Sequence, residues 1–138
     1  MVSIGERYRS PQASALDRGC RAHASGPFLL TQARSPRLAD GARVATISSG
    51  IGSIGLNHAF RTPHYAIGKA AQNRVRAVRA RGAGLVALHP GWVRADMGGE
   101  QAALSAQDSV AGLLRVISVL GAGDRGAFLD WRGKTLCW

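Results

Sequence analysis

Three short apolar runs punctuate the chain, and between them apolar residues recur at helical spacing. Arg43–Ser48 (RVATIS) alternates and is rich in β-branched side chains, which predicts a strand. Leu85–Leu88 (LVAL) is continuously apolar and predicts a short buried strand. Ala127–Asp130 (AFLD) predicts a third, closed by a turn at Trp131-Arg132-Gly133. Phe28, Leu29, Leu30 and Ala33 are spaced as on a helix, which should end near Ser35-Pro36 because a proline disfavours helical backbone in the residue before it. Asp40-Gly41 then makes a turn. Pro63 suits the first turn of a second helix, with Ile67, Ala70, Ala71, Val75 and Val78 on one face to about Ala80, and Gly82 and Gly84 end it. Ser105–Asp108 opens a third, with Val110, Leu113, Leu114, Ile117 and Leu120 in its stripe and Gly121 or Gly123 as its stop. Residues 1–24 show neither period and mix Arg, Ser, Pro and Gly, which predicts an irregular segment. Helix and strand thus alternate three times, the pattern of an α/β layer fold with parallel strands joined by right-handed crossovers.

Length and charge narrow this picture. At 138 residues and 46% hydrophobic content, the chain is sized for one domain with a core. The formal charge of +10 is concentrated: residues 41–82 hold seven basic side chains and no acidic one, whereas residues 83–138 hold five of each. Such a stripe can attract nucleic acid, but only 6% of residues are aromatic and no nucleic-acid motif occurs, so an arginine-rich solvated surface is the expectation. Cys20 and Cys137 have no partner at metal-ligand or redox spacing, and no metal site is expected. The opening MVSIGERYRS is charged with no apolar stretch behind it, and no run is long enough for a membrane span, so a cytoplasmic protein is expected.

The loop after the first strand, ISSGIGSIG, places Gly50, Gly52 and Gly55 at the G-x-G-x-x-G spacing of a dinucleotide turn. That motif needs a helix opening inside it and an acidic residue about 20 positions on. Neither is present: Pro63 interrupts the following residues, and no Asp or Glu lies between Asp40 and Asp96. The loop leads instead to Tyr65 and Lys69, four residues apart and so on one helical face. A tyrosine with a pKa of about 10 exchanges protons poorly near neutrality, and a nearby cation lowers it. A serine at the end of the neighbouring strand, Ser48 or Ser49, can add a hydrogen bond to a carbonyl oxygen beside the phenol.

Taken together, ISSGIGSIG, then YAIGKAAQN, then a strand running into HPGWVRADMGG resembles the C-terminal half of the classical short-chain dehydrogenase/reductases, and GAFLDWRGKTLCW is similar to the ending of their carbonyl-reductase-like members. The resemblance runs from about Gly26 to Trp138. It implies a partial Rossmann-like, doubly wound parallel sheet lacking the N-terminal βαβ half, with residues 25–138 as the C-terminal half of the domain. Its implied catalytic residues are Ser49, which holds the substrate oxygen, Tyr65, the general acid/base, and Lys69, which binds the nicotinamide ribose and depresses the tyrosine pKa. Tyr65, Lys69, Pro90, Gly91 and Val93 are the implied contacts to NADP or NAD, and the loop between Ser49 and Tyr65 is implied to line the substrate pocket.

Three departures accompany the resemblance. The family's adenosine- and pyrophosphate-gripping half is absent. His23 stands where the family usually has an Asn, and Ala95 stands where it has a Thr. The expectation is therefore an NAD(P)-dependent oxidoreductase interconverting a carbonyl and an alcohol on a small molecule, present as a truncated chain not expected to turn over alone. The family's helices at about 28–34 and 64–80 imply self-association as a homo-oligomer. The alternative from another class is a non-catalytic basic interaction protein that binds anionic partners through Arg74, Arg76, Arg79 and Arg81.

Overall fold

A computed structural model describes residues 12–56, 62–74 and 84–138. Three strands, β1 (Arg43–Ile47), β2 (Gly84–His89) and β3 (Phe128–Asp130), form one parallel sheet in that order. Val44 lies opposite Leu85, Ile47 opposite Leu88, and Leu88 opposite Leu129, so the strands are in the α/β arrangement that their apolar runs predict. Among the described residues β1 has no strand on its outer side.

Helix α1 (Ala13–Cys20) passes through a π-helical turn at Arg21–Ser25 into α2 (Gly26–Arg34), and α3 (Pro63–Arg74) and α4 (Ala106–Val119) join the strands. The helical reading around Phe28–Ala33 is met by α2, and Ser105 caps α4 by accepting the Asp108 amide. Residues 1–11, His58, and the predicted Val75, Val78 and Gly82 end of the second helix lie outside the described residues. No helix among the described residues is long and apolar enough to cross a membrane.

The core lies between the sheet and α4. Val86, Leu88 and Leu129 pack there against Leu113, Val116 and Leu120, with Ala45 at the margin. Side chains alternate along a strand, so Leu85 and Ala87 face the opposite side, where they are also buried. Ser48, of opposite parity to Ala45 on the first strand's continuation, bonds Asn73 of α3, which puts α3 on that second face. Both connections step the same way across the sheet from opposite faces, so they differ in hand. This corrects the expectation of uniformly right-handed crossovers. The segment between His89 and Ala106 is long enough to carry the chain over the sheet's end before α4 begins.

A second correction concerns the N-terminal segment. Residues 13–24 are helical, not irregular. The buried positions of α1 are Ala15 and Gly19, small residues that give no apolar stripe in the sequence. They serve close approach instead. A Cβ on Gly19 would stand 2.6 Å from the His64 carbonyl oxygen, and one on Gly68 would stand 2.8 Å from the Gly19 carbonyl. Backbones of α1 and α3 therefore touch where these two glycines meet. By contrast, the larger apolar residues of α2 are not core: Leu29 and Leu30 are 58% and 61% exposed. Leu30 lines a groove beside β1 together with Pro27, Val44, Ile47 and Gln72.

Candidate active site

Three polypeptide segments converge where β1 and β2 end. The first continues from β1 through Ser48 and Ser49 into a 3-10 turn at Gly50–Gly52. Both serines are buried, at 1% and 9% exposure, but they are held differently. The Ser48 hydroxyl is tied to the Asn73 side chain, whose Nδ2 also donates to the Gly52 carbonyl at 3.1 Å. The Ser49 Oγ accepts the Ile51 amide at 3.2 Å, capping the turn, and Ser49 lines the same cleft as Tyr65. Gly52 is needed here because a Cβ would lie 2.7 Å from the backbone of Lys69.

The second segment is α3. Its geometry places Tyr65 and Lys69 on one face, as their spacing predicts, with the Lys69 ammonium 5.7 Å from the phenol ring centroid. Lys69 Nζ donates to the Ile47 carbonyl at 2.6 Å and to Gln72 Oε1 at 2.8 Å. These partners are neutral, so burial dominates and pulls the lysine pKa down to about 8. Burial also pushes the Tyr65 phenol up from its ordinary value, with the Ser49 hydroxyl opposing it in part. An ammonium lying over the ring and satisfied by two carbonyl oxygens does less for the phenolate than burial does against it.

The third segment follows β2. Pro90, Gly91 and Val93 form the wall facing Ser49 and Tyr65 across a cleft of about 710 Å³. Gly91 has φ +88°, and a Cβ there would stand 2.8 Å from Leu104 and 3.0 Å from Trp131, so the wall is bare backbone at this residue. The Pro90 carbonyl accepts the Ser109 hydroxyl at 2.7 Å, Val93 bridges to Leu104, and Trp92 Nε1 donates to the Gly98 carbonyl at 3.0 Å. Ile51, Leu56, Trp92 and Met97 give the cleft an apolar mouth, and among the described residues no Lys, Arg, Asp or Glu lines it.

Four further residues shape this site and were given no role by sequence reasoning. Gln72 and Asn73 follow Lys69 at helical spacing, the one signal that could have found them. His89 Nδ1 accepts the Gly50 amide at 3.2 Å. His23, in the π-helical turn, stands edge-on to Tyr65 with ring centroids 5.0 Å apart, and burial followed by the charges of Lys69 and His64 lowers its pKa. Arg74 is exposed at the end of α3, while Arg76, Arg79 and Arg81 lie outside the described residues.

Comparison with known proteins gives concordant relatives. The chain is 41% identical to C-signal of Myxococcus xanthus over 123 residues, spanning 84% of this chain and 74% of the other. It is 32% identical to the 1-hydroxy-2-glutathionyl-2-methyl-3-butene dehydrogenase of Rhodococcus sp. (strain AD45), over 82% of this chain and 54% of the other. Its fold superimposes on an NADPH-bound carbonyl reductase from chicken fatty liver with a TM-score of 0.88 at 30% identity, covering 100% of this chain and 62% of the reductase. The chain thus spans about three-fifths of the length of that solved structure. No protein-family model matches it.

Proposed function

Because the chain belongs to the short-chain dehydrogenase/reductase family, we propose that its cleft supports interconversion of an uncharged carbonyl compound and its alcohol with NADP or NAD. The observation that carries this reading is the convergence of Ser49 and Tyr65 on one cleft whose opposite wall is open backbone at Gly91. The residues present fit the nicotinamide end of such a cofactor. Glycine at position 91 leaves a flat backbone face, and Ile47 and Gln72, which hold Lys69, also line the groove beside β1. An extended ligand can therefore lie across the carboxyl end of the strand, as in open parallel sheets generally. Pro90, Gly91 and Val93 would hold the nicotinamide, and Tyr65 and Lys69 its ribose.

When bound, the cofactor supplies or accepts the hydride. Ser49 holds the substrate oxygen, and Tyr65 gives it a proton. Tyr65 is protonated at neutral pH and is the group placed beside the substrate oxygen to give it that proton. Apolar Ile51, Leu56, Trp92 and Met97 at the mouth suit an uncharged substrate. The test is fluorescence titration with NADPH and NADH at moderate salt, followed by ketone turnover in the native chain and in Tyr65→Phe. Saturable binding with turnover lost only in the variant supports the reading; undiminished turnover in Tyr65→Phe refutes the tyrosine's role.

A second reading has its own support. The relative at 41% identity is named as a signal and not as an enzyme, and this chain leaves Leu29, Leu30 and the outer edge of β1 open among the described residues. A non-catalytic interaction protein on the same half-fold would bind its partner with Tyr65→Phe as well as without it. Charge reversal at Arg74 tests its anionic variety.

A further inference from the structure

The last residue of β2, His89, faces the turn that carries Ser49. Its ring lies against Gly50, where an added Cβ would stand 3.5 Å from Nε2 and 3.7 Å from Cδ2 and Cε1. A backbone amide can only donate, so the Nδ1 that receives the Gly50 amide must be the unprotonated nitrogen of a neutral ring, with the proton on Nε2. The same turn is closed by Gly52 N to the Ser49 carbonyl at 2.9 Å and Ser53 N to the Gly50 carbonyl at 3.0 Å, and it holds the Ser49 Oγ against the Ile51 amide. The Gly50 bond is the one tie in this set that runs from the turn to the far wall of the cleft.

We propose that His89 is a positioning residue for Ser49: its neutral ring fixes the Gly50 amide and with it the turn that aims the serine hydroxyl, and protonation of the ring releases that turn. Its catalytic consequence rests on the reductase reading; the contact itself does not. A protonated ring presents N–H on both nitrogens, so donor would face donor at Gly50. Asp130, opposite His89 in the β2–β3 register, is the charged group that favours protonation, and Tyr65 is the other titratable side chain lining the cleft among the described residues. Burial outweighs Asp130 and keeps the ring pKa below its ordinary value, so the turn is held at neutral pH and released only in more acidic solution.

The experiment uses the full chain, with the Gly50 amide and the His89 ring nitrogens followed by NMR across the acid range. In the native chain the Gly50 resonance should move with the His89 titration, and its exchange protection should fall at the same pH. His89→Asn puts an acceptor oxygen near the place of Nδ1 without a proton to gain, so protection should persist to lower pH. His89→Leu should lack it throughout, with kcat/KM for an uncharged ketone down about three- to tenfold, the worth of one neutral hydrogen bond. The acid limb of kcat/KM should be present in the native chain and absent in His89→Asn. A Gly50 amide indifferent to His89 protonation, or an acid limb unchanged in His89→Asn, overturns the proposal. A chain whose Gly50 amide titrates as described, yet which turns over no ketone with either cofactor, overturns the reductase reading and leaves His89 in its assigned place.

Discussion

Replacing Gly19 by Ala probes the contact on which the position of α3, and so of Tyr65 and Lys69, depends. The new methyl carbon would stand 2.6 Å from the His64 carbonyl oxygen and 3.1 Å from its carbon. Ordinary contact begins near 3.4 Å, so the two backbones must separate by most of an ångström, and neither is a side chain that can swing away. Overpacking of this kind costs about 1–3 kcal/mol, and contact with rigid backbone places it at the upper end. Alanine recovers about 1 kcal/mol of helix propensity over glycine. The expected net loss is roughly 2 kcal/mol, read as a lower urea midpoint at unchanged slope in circular dichroism. Gly123→Ala is the control, since nothing lies within 4 Å of a Cβ there and its φ is not positive. A Gly19→Ala chain as stable as the native one would refute the argument, because it would mean that α1 and α3 do not touch at this point.

Phe128→Ala should cost about 3–5 kcal/mol, as truncation of a fully buried aromatic ring does; near-native thermal stability would count against the ring's stacking on Trp138. Lys69 makes a pH prediction with a defined sign. Its pKa falls from 10.5 in the unfolded chain to about 8 in the fold, so the unfolded state holds more protons between those values and stability from this group rises with pH across that window. Lys69→Met should lack that rise in urea melts taken from pH 8 to 10. In a ketone-reduction assay, kcat/KM should decline as pH climbs through about 8 and the ammonium loses its charge; a flat profile would separate Lys69 from cofactor binding. Asn73→Ala removes the side chain that joins Ser48 to Gly52 and should weaken cofactor and substrate binding together, measured as raised KM for both.

The sequence was most legible where large apolar residues did the folding. Val86, Leu88, Leu113, Leu120 and Leu129 announce their strands and helix because burial of such side chains is what creates periodicity, although the stripe read for α4 also took in the exposed Val110 and Leu114 and missed the buried Val116. Helix α1 was illegible for the converse reason: its packing runs through Ala15 and Gly19, where the absence of side chain is the point. Leu29 and Leu30 misled in the other direction, since helical spacing records amphipathicity and not what covers the apolar face. At the site, Tyr65 and Lys69 were readable as a spacing, but the Ile47 carbonyl that holds Lys69 lies 22 residues away. Asn73 reaching Ser48 and His89 reaching Gly50 are products of tertiary folding. The rise in the tyrosine pKa was hidden likewise, because burial is a property of the packed chain.

The chain's last two residues reach back to the glycine loop: the Ser53 hydroxyl donates to the Cys137 carbonyl, 84 positions on, and the Gly55 amide donates to the carbonyl of Trp138. During synthesis, a loop made early must therefore wait for residues made long afterwards. The ribosome releases β1, α3 and β2 while those two acceptors do not yet exist, and non-local closure of this kind is slow in folding generally. The Ser53–Gly55 end of the glycine loop is thus fastened later than the Ser49 turn, whose partners Ile51 and His89 are made earlier. A nascent chain stalled before residue 137 would carry a paired sheet beside a loop not yet fastened at Ser53 and Gly55.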